Sequence, residues 1–136
     1  SDPRTMFDWL KHRRGADIPL TGAPPVRRLK SYQANSGYVY QYVYLGQRRK
    51  GREVEFVFDS SADRKTWFCV SITVPDSAVS GWEREYSRTL NGTELYAIAK
   101  LALMARFDEV EAPGILREAV TVSEATAREI LATLDI

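Results

Sequence analysis

Residues 93–107 read TELYAIAKLALMARF, and apolar side chains fall on almost every side of the helix they predict. Leu95, Ile98, Leu101, Ala102 and Ala105 recur at three- and four-residue steps, the spacing of one helix face. Tyr96, Ala97, Ala99, Leu103, Met104 and Phe107 fill the remaining directions. Glu94, Lys100 and Arg106 lie six residues apart, and at about 100° per residue they share no polar stripe. A helix of this kind is buried on most sides. It falls short of the roughly 20 apolar residues that a bilayer crossing needs. The other elements must therefore wrap it.

A period of two replaces the helical period earlier in the chain. Residues 37–45, GYVYQYVYL, alternate strictly and are rich in residues that suit a pleated surface. Residues 54–58, VEFVF, and 67–74, WFCVSITV, predict the next two strands. A charged turn, Arg48-Arg49-Lys50-Gly51-Arg52, joins the first pair, and the polar residues 59–65 join the second. With Lys50-Gly51 as a two-residue turn, Val43 faces Phe58 and Leu45 faces Phe56. One face then carries Val39, Val43, Leu45, Val54, Phe56, Phe58, Phe68, Val70, Ile72 and Val74, and the central helix covers it. The other carries Tyr38, Tyr40, Tyr42 and Tyr44 with Glu53, Glu55, Val57, Trp67 and Cys69.

The remaining elements are shorter. Residues 7–14 predict a helix whose basic end suits its C-terminal dipole, closed by Gly15. Pro19, Gly22, Pro24 and Pro25 make the following stretch a loop, and Arg27, Arg28 and Lys30 make it basic and extended. Pro75-Asp76-Ser77 opens a helix with Val79, Trp82, Glu83 and Tyr86 on one side. Asn91 or Thr93 caps the central helix. Residues 115–122 read equally as a helical turn or a short strand, and Ser123 caps a last helix over residues 124–134. The expected fold is α+β: a three- or four-stranded antiparallel meander, packed on one face by a buried central helix, with further short helices at the termini. The 136 residues read as one domain: a possible N-terminal helix at 1–14, a basic Pro/Gly-rich segment at 15–35 and a core at 36–136.

Composition narrows the chemistry. A net charge of +1 supplies no strong field for a polyanion. One cysteine and one histidine leave no disulfide framework and little metal-site arithmetic. No cofactor motif and no secretory or membrane-spanning run occurs in the sequence, and the default compartment is cytoplasmic.

The leading expectation is a non-catalytic binding or interaction module. Tyr38, Tyr40, Tyr42, Tyr44 and Trp67 would form an aromatic platform, with Arg48, Arg49 and Arg52 at the hairpin tip. A protein partner or self-association fits such a face, and a half-exposed or covered sheet face is the bland alternative. Nucleic acid is a second expectation, through base stacking or through the C-terminus. Residues 120–134, VTVSEATAREILATL, resemble the turn and recognition helix of a helix-turn-helix domain. Thr121 stands where that turn usually has glycine, and Glu124, Glu129 and Asp135 outnumber Arg128. An enzyme is the third, with Lys100 or Asp59, Asp63, Glu83 and Glu85 as working groups. Lys100, set in an apolar helix, reads either as a desolvated amine or as a side chain that carries its charge out to solvent. Asp59 to Asp63 faintly matches a metal loop and otherwise reads as a hairpin turn.

Overall fold

The computed structural model describes residues 18–110 and 119–136. The helix expected over residues 7–14 lies outside that set, as does most of the segment before the last helix.

Five strands form one mixed sheet in chain order: β1 (Lys30–Gln33), β2 (Val39–Lys50), β3 (Glu53–Ser61), β4 (Phe68–Pro75) and β5 (Ala119–Thr121). The first four pair antiparallel, and β5 runs parallel to β4. The fold is α+β and mostly antiparallel, with two edge strands beyond the expected meander core. The basic stretch supplies β1, and residues 119–121 form a short strand, while residues 115–118, read as part of a helical turn, lie outside the described set.

Among the described residues, three helices follow the same sequence cues. α1 (Asp76–Glu85) starts directly after Pro75 and buries Ala78, Val79 and Trp82. α2 (Gly92–Glu109) is the all-round apolar helix. Asn91 accepts from the Glu94 amide at 2.8 Å, and Glu94 accepts from the Asn91 amide at 3.0 Å, a reciprocal capping box. α3 (Glu124–Leu134) is capped by Ser123, whose oxygen accepts from the Thr126 amide at 3.2 Å. Ala127, Ile130 and Leu131 of α3 turn inward. α2 touches β4 on one side and α3 on the other, so its apolar circumference is divided between sheet and helix.

The face assignment of β2 is the main correction. The β2–β3 register places Lys50 opposite Glu53 and Gln47 opposite Phe56, then shifts, so that Gly46 faces Val57 and Tyr44 faces Phe58. Leu45 is the extra residue of a β-bulge. Because side chains alternate with period two, one inserted residue moves every later side chain to the opposite face. Tyr40, Tyr42 and Tyr44 therefore join Phe56, Phe58, Val70 and Ile72 beneath α2, instead of forming a platform on the far side. Val43 and Leu45, expected in the core, are half-buried on the far face, and Val39 is exposed. The expected facing of Val54, Phe56 and Phe58 with β4 holds: they lie opposite Val74, Ile72 and Val70.

Gly46 makes the bulge possible. Its φ of +130° disfavours any side chain, and a Cβ there would lie 2.9 Å from Leu20 Cβ and 3.0 Å from the Thr21 carbonyl oxygen. Thr21 and Gln47 exchange backbone hydrogen bonds of 2.9 and 2.8 Å, which lays residues 18–21 across this part of the sheet. At the other end of α2, Asp108 accepts from the Tyr32 hydroxyl at 2.6 Å and from the Asn35 amide at 2.9 Å. These two bonds tie β1 and the turn after it to the end of α2.

Candidate functional site

The tyrosine row ends in a cleft. Tyr42 and Tyr44 project from β2, Tyr96 from the first turns of α2, and Gly22, Pro24, Arg28 and Lys30 close the outer wall; together they line a cavity of about 260 Å³. The positions follow from the local fold. Lys30 is the register partner of Tyr42, so the first residue of β1 stands beside that ring. The Tyr44 and Tyr96 rings meet with centroids 4.7 Å apart at 58°. The Tyr44 hydroxyl donates to Gln47 Oε1 at 3.2 Å.

Burial makes these hydroxyls poor acids. It pushes Tyr44 up to about 12, and it raises Tyr42 and Tyr96 for the same reason, with the Tyr96 hydroxyl adding to the rise at Tyr42 and Tyr44. All three stay neutral near neutral pH and can donate hydrogen bonds.

Arg28 and Lys30 are the cations of the lining. Lys100 lies one helical turn beyond Tyr96 on α2. Burial first, then the Lys30 charge and hydrogen bond, hold Lys100 below the usual lysine range. Among the described residues, no ion pair engages Arg28, Lys30 or Lys100. Two basic side chains, neutral hydroxyls and aromatic walls are the lining chemistry of this cavity.

The residues expected to form one binding face are instead dispersed. Tyr38 is exposed just before β2, while Tyr40 is fully buried and Tyr42 nearly so. A stacking platform on exposed β2 rings is thereby removed. Trp67 lines a separate hollow of about 370 Å³ with Arg27, Leu29, Val43, Leu45 and Asp59. Burial raises the Asp59 carboxyl above its ordinary range, against the Ser60 amide and the Arg27 charge.

The basic hairpin tip is also spoken for. Arg48 is buried, with its Nε 3.1 Å from Glu55 Oε1 and its Nη1 donating to the Ile18 carbonyl at 3.1 Å. Arg49 makes a two-pronged contact with Asp76 at 3.1 and 3.2 Å. Arg52 lines a shallow hollow with Lys50, Glu53, Pro75, Asp76, Ser77 and Ser80.

The carboxylates weighed as catalytic groups do not converge. Asp63 accepts from the Lys65 and Thr66 amides, each at 2.8 Å, which is the turn its sequence implied. Glu83 accepts from the Leu90 amide at 2.8 Å, and Glu85 pairs with Arg128 at 3.2 Å. Arg128 also reaches Glu124 at 3.4 Å, so the basic residue of α3 is engaged by acids. Among the described residues, no three His, Cys, Asp or Glu side chains could share a metal ion, and no helix is long and apolar enough to cross a membrane.

Tyr42 and Tyr44 were singled out from the sequence, but for the opposite face of the sheet. Tyr96 was read as helix core, and Arg28 and Lys30 only as a basic segment. Tyr96 and Lys100, at i and i+4 on one helix edge, were the available signal. Comparison with protein-family models, with curated proteins and with solved structures returned no match.

Proposed function

We propose that this protein is a small binding module that takes an anionic ligand with a ring-sized apolar body into the Tyr42–Tyr44–Tyr96 cleft. The observation that carries this reading is the convergence of Arg28 and Lys30, neither in an ion pair among the described residues, on a cavity walled by three tyrosines. The cavity volume of about 260 Å³ suits one ring with its anionic head better than a whole nucleotide. Phosphate or carboxylate would satisfy the cations, and the tyrosine hydroxyls would donate to the same head group. The hairpin tip serves this role less well, because Arg48 and Arg49 already hold Glu55 and Asp76.

Calorimetric titration with phenyl phosphate, benzoate and phenol tests the reading. Phenyl phosphate should bind at least about tenfold more tightly than phenol, the worth of one charge-assisted hydrogen bond. Benzoate should fall between them. Lys30→Gln should weaken the two anions and leave phenol unchanged. Equal affinity for phenyl phosphate and phenol would contradict the proposal.

A further inference from the structure

We propose that β1 is the docking edge for an extended peptide whose phosphotyrosine side chain fills the Tyr42–Tyr44–Tyr96 cleft. The inference rests on the anion-binding reading of the cleft and names its ligand. What carries it is an unpaired strand edge set beside the two lining cations. β1 is the first strand of the sheet and pairs with β2 alone. Its residues are exposed except Tyr32, which is half-buried. Among the described residues, nothing bonds to its outer backbone edge.

The pairing pattern decides which groups face outward. The Ala34 amide donates to the Tyr38 carbonyl at 2.8 Å, in the register that also sets Tyr32 opposite Tyr40 and Lys30 opposite Tyr42. Antiparallel pairs alternate between hydrogen-bonded and non-hydrogen-bonded. Lys30 and Tyr32 therefore turn their amides and carbonyls to β2, and Ser31 and Gln33 turn theirs away from it. A strand added antiparallel to β1 meets those outward groups with its own backbone.

Side-chain alternation then positions the anion. The added residue opposite Lys30 points to the face shared by Lys30 and Tyr42, which is the face that lines the cleft. Arg28, two residues before Lys30, lines the same cleft, so this added side chain enters where both cations stand. A ring that bears a dianion matches the aromatic walls and the two cations together. The residues one and three places before it lie opposite Ser31 and Gln33 and make the backbone bonds. A second copy of this chain fits the edge less well. Pairing β1 with β1 would gather two sets of Arg28 and Lys30 along one short seam, where like charges repel.

Calorimetric titration of the intact protein tests this with a tetrapeptide of three valine or threonine residues followed by phosphotyrosine, capped at both ends. Capped phosphotyrosine alone reports on the cleft. The peptide should bind at least about tenfold more tightly than the capped residue, the worth of one or two added backbone hydrogen bonds. It should also bind at least about tenfold more tightly than its unphosphorylated form. N-methylation of its first and third residues should erase the gain over capped phosphotyrosine. Ser31→Pro should do the same, because it removes an outward amide and no bond to β2. The N-methylated peptide reads the same edge on the unmodified sequence, so the test survives a Ser31→Pro chain that fails to fold. Equal affinity for peptide and capped phosphotyrosine, or a gain that survives N-methylation, overturns strand addition and leaves the cleft standing. If neither probe binds, the cleft reading falls with it. Dimerisation of the protein that Ser31→Pro abolishes and the peptide does not reverse would give the edge to a second copy and overturn the inference.

Discussion

The rings of Tyr40 and Phe107 stack with centroids 4.1 Å apart and planes within 6° of parallel. That contact joins β2 to the last turns of α2 and places the tyrosine face inside the core. Truncating either ring leaves a cavity that neighbours fill only in part. Tyr40→Ala or Phe107→Ala should cost about 3–5 kcal/mol in urea unfolding. The Tyr40 hydroxyl is buried with no hydrogen-bond partner among the described residues. Tyr40→Phe should therefore hold stability or raise it by up to about 1 kcal/mol. Tolerance of Tyr40→Ala would place this ring outside the core.

Gly46 supports the bulge on which the face assignment depends. Gly46→Ala meets both the positive φ and the Leu20 contact, and should destabilise by about 2–3 kcal/mol. Gly51 has a φ of +60° with nothing within 4 Å of the added Cβ. Gly51→Ala should then cost only about 1 kcal/mol, the backbone term alone. Equal midpoint shifts for the two substitutions would argue against the close packing of residues 18–21 on the bulge.

The two arginines next to each other in β2 should behave differently. Arg48 and Glu55 are a buried pair, with side chains 5% and 4% exposed, whereas the Arg49–Asp76 pair is 53% and 51% exposed. Glu55→Ala should cost about 3–5 kcal/mol, because it strands a buried cation. Arg49→Ala should cost less than about 1 kcal/mol, and high salt should diminish the effect further. Chemical denaturation of both variants at two salt concentrations checks the contrast.

Ionisation of tyrosine sets the alkaline limit. Tyr44 moves from an ordinary value of 10.0 to about 12 in the folded chain. A folded value above the unfolded one means full stabilisation below pH 10, lost as pH rises toward about 12. Tyr32, Tyr40, Tyr42 and Tyr96 shift in the same direction: Tyr32 chiefly by its bond to Asp108, the others chiefly by burial. Ultraviolet titration should show tyrosinate forming late and together with unfolding. Tyr44→Phe should reduce the steepness of that loss. Early, independent ionisation of most tyrosines would contradict their burial.

Much of this architecture could be read from periodicity. Residues 93–107 announce a helix covered on most sides, and Ser123 with Ala127, Ile130 and Leu131 marks the start and inner face of the last one. Phe56, Phe58, Val70 and Ile72 alternate cleanly enough to fix the core face of β3 and β4. The bulge left no such trace. GYVYQYVYL alternates without a break to Leu45, and both its Tyr and its Val sets are apolar enough to be buried, so hydropathy cannot say which faces the helix. β1 was obscured because Lys30 and Gln33 are polar on an edge strand, and β5 because residues 119–121 are too few for a period. The cleft depends on both missed features. The bulge turns Tyr42 and Tyr44 toward α2, and β1 brings Lys30 to Tyr42.

Asp108 tests that last dependence. Its bonds to Tyr32 and Asn35 hold β1 against α2. Asp108→Ala should lower stability by about 1–3 kcal/mol through the two lost bonds. It should also weaken phenyl phosphate binding, although Asp108 does not line the cleft. A loss of stability with unchanged affinity would show that β1 keeps Lys30 in place without this tie.

The most direct measurement is a backbone amide NMR titration of the intact chain with phenyl phosphate. Saturable shifts clustered at residues 22–30, at Tyr42 and Tyr44, and at Tyr96 to Lys100 are the predicted result. Shifts confined to Arg49, Arg52 and Asp76, or no shifts up to millimolar ligand, would contradict the anion-binding cleft.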